Sequence, residues 1–342
     1  MNSRRNFIKA TTALAALSLV STEEAIAQTA GAGKYKIKPR RLKEGDTIAI
    51  TSPAGAVWDE KQIEVFSNIL KGFGFKVVLG KTLKEKYGYF AGTDELRAKE
   101  LNDLFADKNI QGIFCMKGGW GCARLLDQID FPNITNNPKI IIGFSDITTL
   151  LVAIFAKTGL VTFHGPVGNS GWNDFTSSVF KSVVMKAEQT NFPVGPAADD
   201  KPVMINKGIA TGMMIGGNLT VIAGIIGSSY LPDWKGKILF LEEAKEEPYS
   251  IDRMLTQLKL AGVLNAISGF VFGKCVKCEA EEPLKAFTFM QVIEQHIKPL
   301  GIPAFYGAMT GHIENKLTLP LGAEVTIDAD KGTIQLNENA VV

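Results

Sequence analysis

Only three histidines occur in the 342 residues, His164, His296 and His312, so any chemistry that needs an imidazole base draws on one of them. Imidazole takes up and returns a proton near neutral pH. A hydroxyl nucleophile needs such a base, and the base needs an acid to orient it. Ser145 has the right setting for the hydroxyl: it follows the apolar run Lys139–Gly143 and opens a helical pattern, in Gly143-Phe144-Ser145-Asp146-Ile147-Thr148. A serine on a sharp strand-to-helix turn is the geometry of a nucleophile elbow, although the second glycine of G-x-S-x-G is missing. A serine at such a junction also serves as a plain helix cap. Glu242 and Glu243 directly follow the apolar run Lys237–Leu241, where a carboxylate is held rigidly; the alternative is an exposed residue or a partner for Arg253. The loop Lys117-Gly118-Gly119-Trp120-Gly121-Cys122-Ala123-Arg124 carries three glycines. Such a loop can turn its N–H groups toward an anion or oxyanion, or simply make a tight turn. His164, in Thr162-Phe163-His164-Gly165-Pro166, follows a strand-like run, and His312 sits in the polar stretch Thr310-Gly311-His312-Ile313-Glu314-Asn315. His296, in a polar helix end, reads as solvated surface.

These residues need elements to hold them. Thr47–Thr51, Lys76–Leu79, Gly112–Met116, Lys139–Gly143 and Val161–Phe163 read as short strands. Between them, helical spacing appears at Ile63, Phe66, Ile69 and Leu70, at Leu96, Leu101, Leu104 and Phe105, and across Leu150–Lys157. Strands alternating with helices over short links predict a parallel sheet covered on both faces. Ligands of such a sheet bind beyond the carboxyl ends of its strands, where Ser145 and the glycine loop fall. Asn191–Pro202, rich in proline and in small or acidic residues, reads as an interdomain linker. Beyond it come Gly216-Gly217-Asn218 opening a helix, a helix through Met254–Leu260, and strand-like runs at Ile267–Phe272, Glu324–Ile327 and Thr333–Leu336. The last two predict a hairpin around Asp330-Lys331-Gly332. The division is thus 45–186 for an α/β domain, 187–204 for a linker and 205–337 for a smaller mixed α+β domain.

Met1–Ala27 reads as an export signal: a twin-arginine pattern at Ser3–Lys9, an apolar stretch Ala10–Val20, and Ala25-Ile26-Ala27 ahead of a cut after Ala27. The apolar stretch is far shorter than the roughly 20 residues a spanning helix needs. The expectation is a periplasmic protein with no stable membrane insertion after signal removal. The cut removes Arg4, Arg5, Lys9, Glu23 and Glu24, taking the net charge from +2 to +1. A field so weak does not gather nucleic acid. Four cysteines in so long a chain make no disulfide scaffold.

Several motifs occur together in an order that resembles the LD-carboxypeptidases, the muramoyltetrapeptide carboxypeptidases of bacterial cell-wall metabolism. They are YGYFAGTDELR at 87–97, the GGWG loop, GFSDIT around Ser145, HGP at 164–166, GGNLT at 216–220, LEE…EEPYSIDRML at 241–255 and GHIENKLTLPLG at 311–322. The resemblance runs from about Gly45 to Gly322. It implies a Rossmann/flavodoxin-like N-terminal domain bearing the serine, a C-terminal domain bearing acid and base, and an active site in the cleft between them. The linker would then let the two halves of the site meet. Residue by residue, it implies Ser145 as nucleophile, Glu242 as orienting acid, His312 as general base, and the backbone N–H groups of Asp146 and Ala123 as the oxyanion hole. Candidates for substrate contact are Lys117, Gly119, Trp120, Arg124, His164 and Asn218. Lys117 stands where the family usually has arginine and Trp120 where it usually has tyrosine. The implied reaction releases the terminal D-alanine of a murein tetrapeptide, without cofactor or metal, and a homodimer is compatible with it.

Three rival readings differ in chemistry. An immunity-type amide hydrolase of the same family pattern would cleave acyl-sulphamoyl nucleotides, with Trp120 stacking on the base. A periplasmic solute-binding protein would share two α/β domains and a cleft but need no triad. A zinc protein would use Cys275 and Cys278, a C-x₂-C pair that is otherwise free or bridged.

Overall fold

The computed structural model describes residues 36–197 and 200–342; the export signal read at Met1–Ala27 lies outside the described residues. Five strands form in succession in the first half of the chain: β1 (Thr47–Thr51), β2 (Lys76–Leu79), β3 (Gly112–Cys115), β4 (Ile140–Gly143) and β5 (Thr162–His164). They run parallel in the order β2-β1-β3-β4-β5, the flavodoxin-like arrangement. Every residue of β3 (GIFC) and β4 (IIIG) is buried, because a parallel strand with helices over both faces has no polar side.

The second sheet takes β6 (Asn191–Phe192), β7 (Val203–Asn206), β8 (Ile209–Asn218), β9 (Ile238–Ala244), β10 (Gly269–Val276) and β11 (Ala304–Tyr306). The chain then returns to the first sheet with β12 (Leu319–Leu321), antiparallel to β5, before β13 (Glu324–Asp328) and β14 (Thr333–Leu336) complete the second as a hairpin. The order is β6-β14-β13-β8-β9-β10-β11-β7, parallel from β8 to β11 and antiparallel on both flanks. The architecture is therefore a parallel α/β domain and a mixed α+β domain.

Helices cover the first sheet for reasons visible in their sequences. Lys61–Gly72 turns Ile63, Phe66 and Leu70 inward. Asp94–Ala106 starts where the Thr93 side chain accepts the Leu96 N–H, relieving one unpaired donor of the first turn. Thr148–Thr158 (TTLLVAIFAKT) is buried on nearly all sides, as an apolar helix without a polar stripe must be. It packs against the first sheet and against β8 of the second. Among the described residues no helix is long and apolar enough to cross a membrane.

Three features differ from the sequence reading. The segment read as a linker contributes β6 and leads into β7, the two edge strands of the second sheet. An edge strand needs one neighbour only, so a short run flanked by prolines suffices. Strand β12, from the C-terminal half, belongs to the first sheet, pairing Leu319 with His164. Strand β9 continues through Glu242 and Glu243 instead of ending at Leu241, because Glu242 pairs with Asn218 of β8 and Glu243 with Cys275 of β10.

Candidate active site

Ser145 leaves β4 on a turn with φ of +61°. For a residue with a Cβ this left-handed conformation is strained, and it lifts the hydroxyl off the sheet at the head of the buried helix Thr148–Thr158. The glycine loop after β3 comes up against this turn. A Cβ on Gly118 would lie 2.8 Å from the Ser145 Cβ and 3.2 Å from the Asp146 nitrogen, so only glycine permits the approach.

The second domain supplies the partners. His312 Nε2 is 3.2 Å from Ser145 Oγ, and His312 Nδ1 is 3.0 Å from Glu242 Oε2. With the imidazole proton on Nδ1 donated to the carboxylate, Nε2 is free to accept from the serine hydroxyl. Such a chain can draw a proton from the hydroxyl as it attacks and return it to a leaving group. Glu242 is fully buried. Burial alone would raise its pKa, but His164 and His312 more than reverse this and hold it down to about 2. Successive residues of a strand face opposite ways, so Glu243 points instead to the other side of β9. There it accepts from Asn218 Nδ2 and from the N–H groups of Thr220 and Ala244. Burial, assisted by the neighbouring Glu242 charge, raises the Glu243 pKa despite those donors.

A cavity of about 230 Å³ opens beside Ser145 and His312, walled by Gly119, Trp120, Ala123, Asp146, Asn218 and Glu243 among others. A larger depression of about 650 Å³ lies around Glu247, Asp252 and Phe287, away from the serine. Of the expected substrate contacts, Gly119, Trp120 and Asn218 therefore border the site. The other three do not. Lys117 donates to the Ala56 carbonyl. Arg124 makes a paired contact to Asp94, at 2.7 and 2.8 Å, and lies over the Phe90 ring. His164 is buried behind Glu242, away from the cavity. The carboxylate that claims Arg124 lies 30 residues earlier in the chain, so local sequence gave no sign of it. His296 is also not free surface: its Nε2 meets Asp252 at 2.7 Å.

Several supporting residues escaped the sequence reading. The Asp146 side chain accepts the Cys122 N–H at 2.8 Å, linking the serine turn to the glycine loop; burial raises its pKa. Arg97, with no exposed surface, donates to the carbonyls of Pro53 and Gly121, pairs with Asp94 and stacks on Phe90. The 87–97 motif is thus a buttress under the loop, and its joint signal was the spacing of Phe90, Asp94 and Arg97. On the other side, the His312 loop is tied to the first domain. Asn173 Nδ2 donates to Asn315 Oδ1 at 2.7 Å, and the Lys316 N–H donates to Thr176 Oγ1 at 3.0 Å. The Lys316 ammonium donates to the Ile313 carbonyl and lies 5.3 Å over the Phe144 ring; burial pulls its pKa down to about 8. Phe144 in turn meets the His312 ring edge-on at 4.9 Å.

Cys275 and Cys278 are joined in a disulfide, and Cys115 and Cys122 are free and buried. The C-x₂-C pair is thereby engaged without a metal. Among the described residues no cluster of three or more His, Cys, Asp or Glu side chains is arranged to hold one.

Residues 48–165 match the model of the LD-carboxypeptidase N-terminal domain and residues 211–327 that of the LD-carboxypeptidase C-terminal domain. The chain is 36% identical over 312 residues to a probable murein peptide carboxypeptidase of Bacillus subtilis, covering 89% of this chain and 95% of that protein. It is 27% identical to the murein tetrapeptide carboxypeptidase of Pseudomonas aeruginosa, covering 83% and 94%. Among solved structures, the microcin C7 self-immunity protein MccF in complex with glutamyl sulfamoyl guanosine superposes with a TM-score of 0.80 at 29% identity, over 89% of this chain and 99% of that one.

Proposed function

The chain belongs to the LD-carboxypeptidase family, and from that premise we propose that it is a serine peptidase releasing the terminal D-alanine of murein tetrapeptides. The observation that carries the reading is the unbroken hydrogen-bonded chain from Ser145 through His312 to Glu242, starting on a strained turn at the edge of a cavity. In this reading Ser145 Oγ attacks the carbonyl carbon of the amide before D-alanine while its proton passes to His312 Nε2. The carbonyl oxygen becomes an oxyanion held by the N–H groups of Asp146 and Ala123. Collapse breaks the C–N bond, and His312 gives the proton to the leaving amine. A water, deprotonated by the same imidazole, then frees the acyl group and restores Ser145. Glu242 holds the imidazole in the tautomer that both steps need. With Lys117 and Arg124 engaged elsewhere, the backbone of the Gly119–Trp120 corner is the proposed seat of the D-alanine carboxylate.

A second reading has one observation in its favour. Trp120 is 53% exposed at the cavity edge, free to stack on a flat group such as the base of an acyl-sulphamoyl nucleotide. We propose export as well, on the twin-arginine sequence; the Cys275–Cys278 disulfide supports it, since such bonds persist in oxidising compartments.

Mass spectrometry after incubation with murein tri-, tetra- and pentapeptides, and separately with an aminoacyl-sulphamoyl nucleotide, tests both readings. Free D-alanine from the tetrapeptide is expected, with Ser145→Ala slower by up to about 10⁶-fold. Intact tetrapeptide beside a cleaved nucleotide would transfer the assignment to the second reading. Turnover by Ser145→Ala near the wild-type rate would remove the nucleophile.

A further inference from the structure

Glu242 faces two imidazoles, and only one has a part in the chemistry proposed above. Its Oε2 meets His312, while its Oε1 lies 3.9 Å from Nε2 of His164. Both of these latter atoms are shut off from solvent and neither has a hydrogen-bond partner. On the far side of the ring, His164 Nδ1 is 3.2 Å from Thr310 Oγ1. His164 comes from β5 of the first sheet, Glu242 from β9 of the second, and Thr310 from the segment that carries His312. The ring is held edge-on by Phe240, at 4.8 Å between centroids, and by Phe144, at 6.0 Å.

The tautomer follows from what each nitrogen faces. A bare Nε2 would set a lone pair against a carboxylate oxygen in a space closed to solvent, leaving two acceptors opposed and unpaired, which is costly. A proton on Nε2 turns the same contact into attraction, and it leaves Nδ1 to accept from the Thr310 hydroxyl, which can rotate to donate. We infer that His164 is a second positioning residue for the proposed reaction: it presents an Nε2–H to Glu242 Oε1, so that the acid is clamped between two imidazoles and its other oxygen stays in line with His312. The distance leaves room for this contact to shorten as charge develops on His312. The inference rests on the triad reading, and it takes His164 out of the set of substrate contacts.

Three variants and one spectrum test it. His164→Phe keeps a ring against Phe240 and Phe144 but removes both nitrogens. His164→Gln keeps an N–H donor close to the position of Nε2, and Thr310→Val removes the hydroxyl that faces Nδ1. On a tetrapeptide, kcat should fall about 10- to 100-fold in His164→Phe, the range for a hydrogen bond to a charged group, with KM within about twofold. His164→Gln should recover most of the loss. In the imidazole ¹⁵N spectrum His164 should carry its proton on Nε2, and should keep it there in Thr310→Val, because the carboxylate opposite Nε2 fixes it. A packing role alone would make Phe the better replacement. The inference is overturned by an Nδ1–H tautomer at His164, by a folded His164→Phe with wild-type kcat, or by Gln performing no better than Phe. The spectrum needs no substrate, so it still judges His164 if the tetrapeptide proves not to be cleaved or if His164→Phe does not fold.

Discussion

Replacing Glu242 with glutamine separates the charge of the acid from its shape. The side chain is fully buried, and the isosteric amide opens no cavity. In the wild-type protein burial pushes the carboxyl pKa up, while the neighbouring imidazoles of His164 and His312 pull it down to about 2, against an ordinary 4.5. That displacement, roughly 2.5 pH units, corresponds to about 3 kcal/mol of preference for the carboxylate over its neutral form. The amide forfeits the preference and must also turn its NH₂ toward one imidazole, leaving that ring without its acceptor. If the full interaction is realised when His312 takes the serine proton, kcat/KM falls by about two to three decades. The same displacement has a substrate-free readout. A carboxyl whose folded pKa lies below its unfolded value adds stability above the unfolded pKa and loses it as pH drops through the folded one. Glu242 therefore gives up its share between about pH 4.5 and pH 2. Glu338 titrates through the same window: its partial burial is outweighed by Lys36 and Lys38, which bring it to about 2, but it does so equally in both proteins. Denaturant unfolding across that window should show a shallower acid loss in E242Q than in the wild type. Equal acid losses, or kcat/KM within tenfold of wild type, would refute this account of the charge.

The strain at Ser145 predicts a gain where a loss is customary. Ser145→Gly should raise unfolding stability by about 1 kcal/mol, because glycine adopts a φ of +61° without the Cβ penalty; Ser145→Ala should not, and equal stabilities for the two would contradict the strain. Gly118→Ala would place a Cβ 2.8 Å from that of Ser145, so turnover should drop on the order of 100-fold through misplacement of the hydroxyl. The check is steady-state kinetics beside an unchanged circular dichroism spectrum, and a fully active Gly118→Ala would mean that the loop does not press on the serine.

The five parallel strands were legible because their apolar runs are continuous and their links short. Ser145 and the glycine loop were legible because both fall at carboxyl ends of those strands. Choosing Glu242 over Glu243 was different: both are buried, both lie on β9, and alternation only says that they face apart. Which face meets a histidine depends on β5 and on the loop at 310–318, which lie far away along the chain. The cationic candidates lie off the cavity wall for a related reason. An arginine beside a glycine loop reads as a ligand for an anion until Asp94, from another helix, is found to hold it. His164 reads as lining a cleft because its HGP turn ends a strand; its ring is instead enclosed by Phe144, Phe240 and Glu242, and its strand is flanked by a pairing, Leu319 on His164, that no local pattern announces.

That pairing also decides how the two halves of the site meet. The segment at 191–202, by composition a linker suited to that task, has its ends in or beside edge strands of the second sheet. Ser145 and His312 are brought together by the stretch from Thr310 to Leu321, which starts beside β10, carries His312, and ends as β12 inside the first sheet. Along the way it is fastened to the first domain through Asn315 and Lys316. An imidazole mounted this way is anchored to the sheet that holds Ser145, although it belongs by sequence to the other domain. From there His312 reaches back to Glu242 on β9, and a second imidazole from the first sheet, His164, stands at that carboxylate.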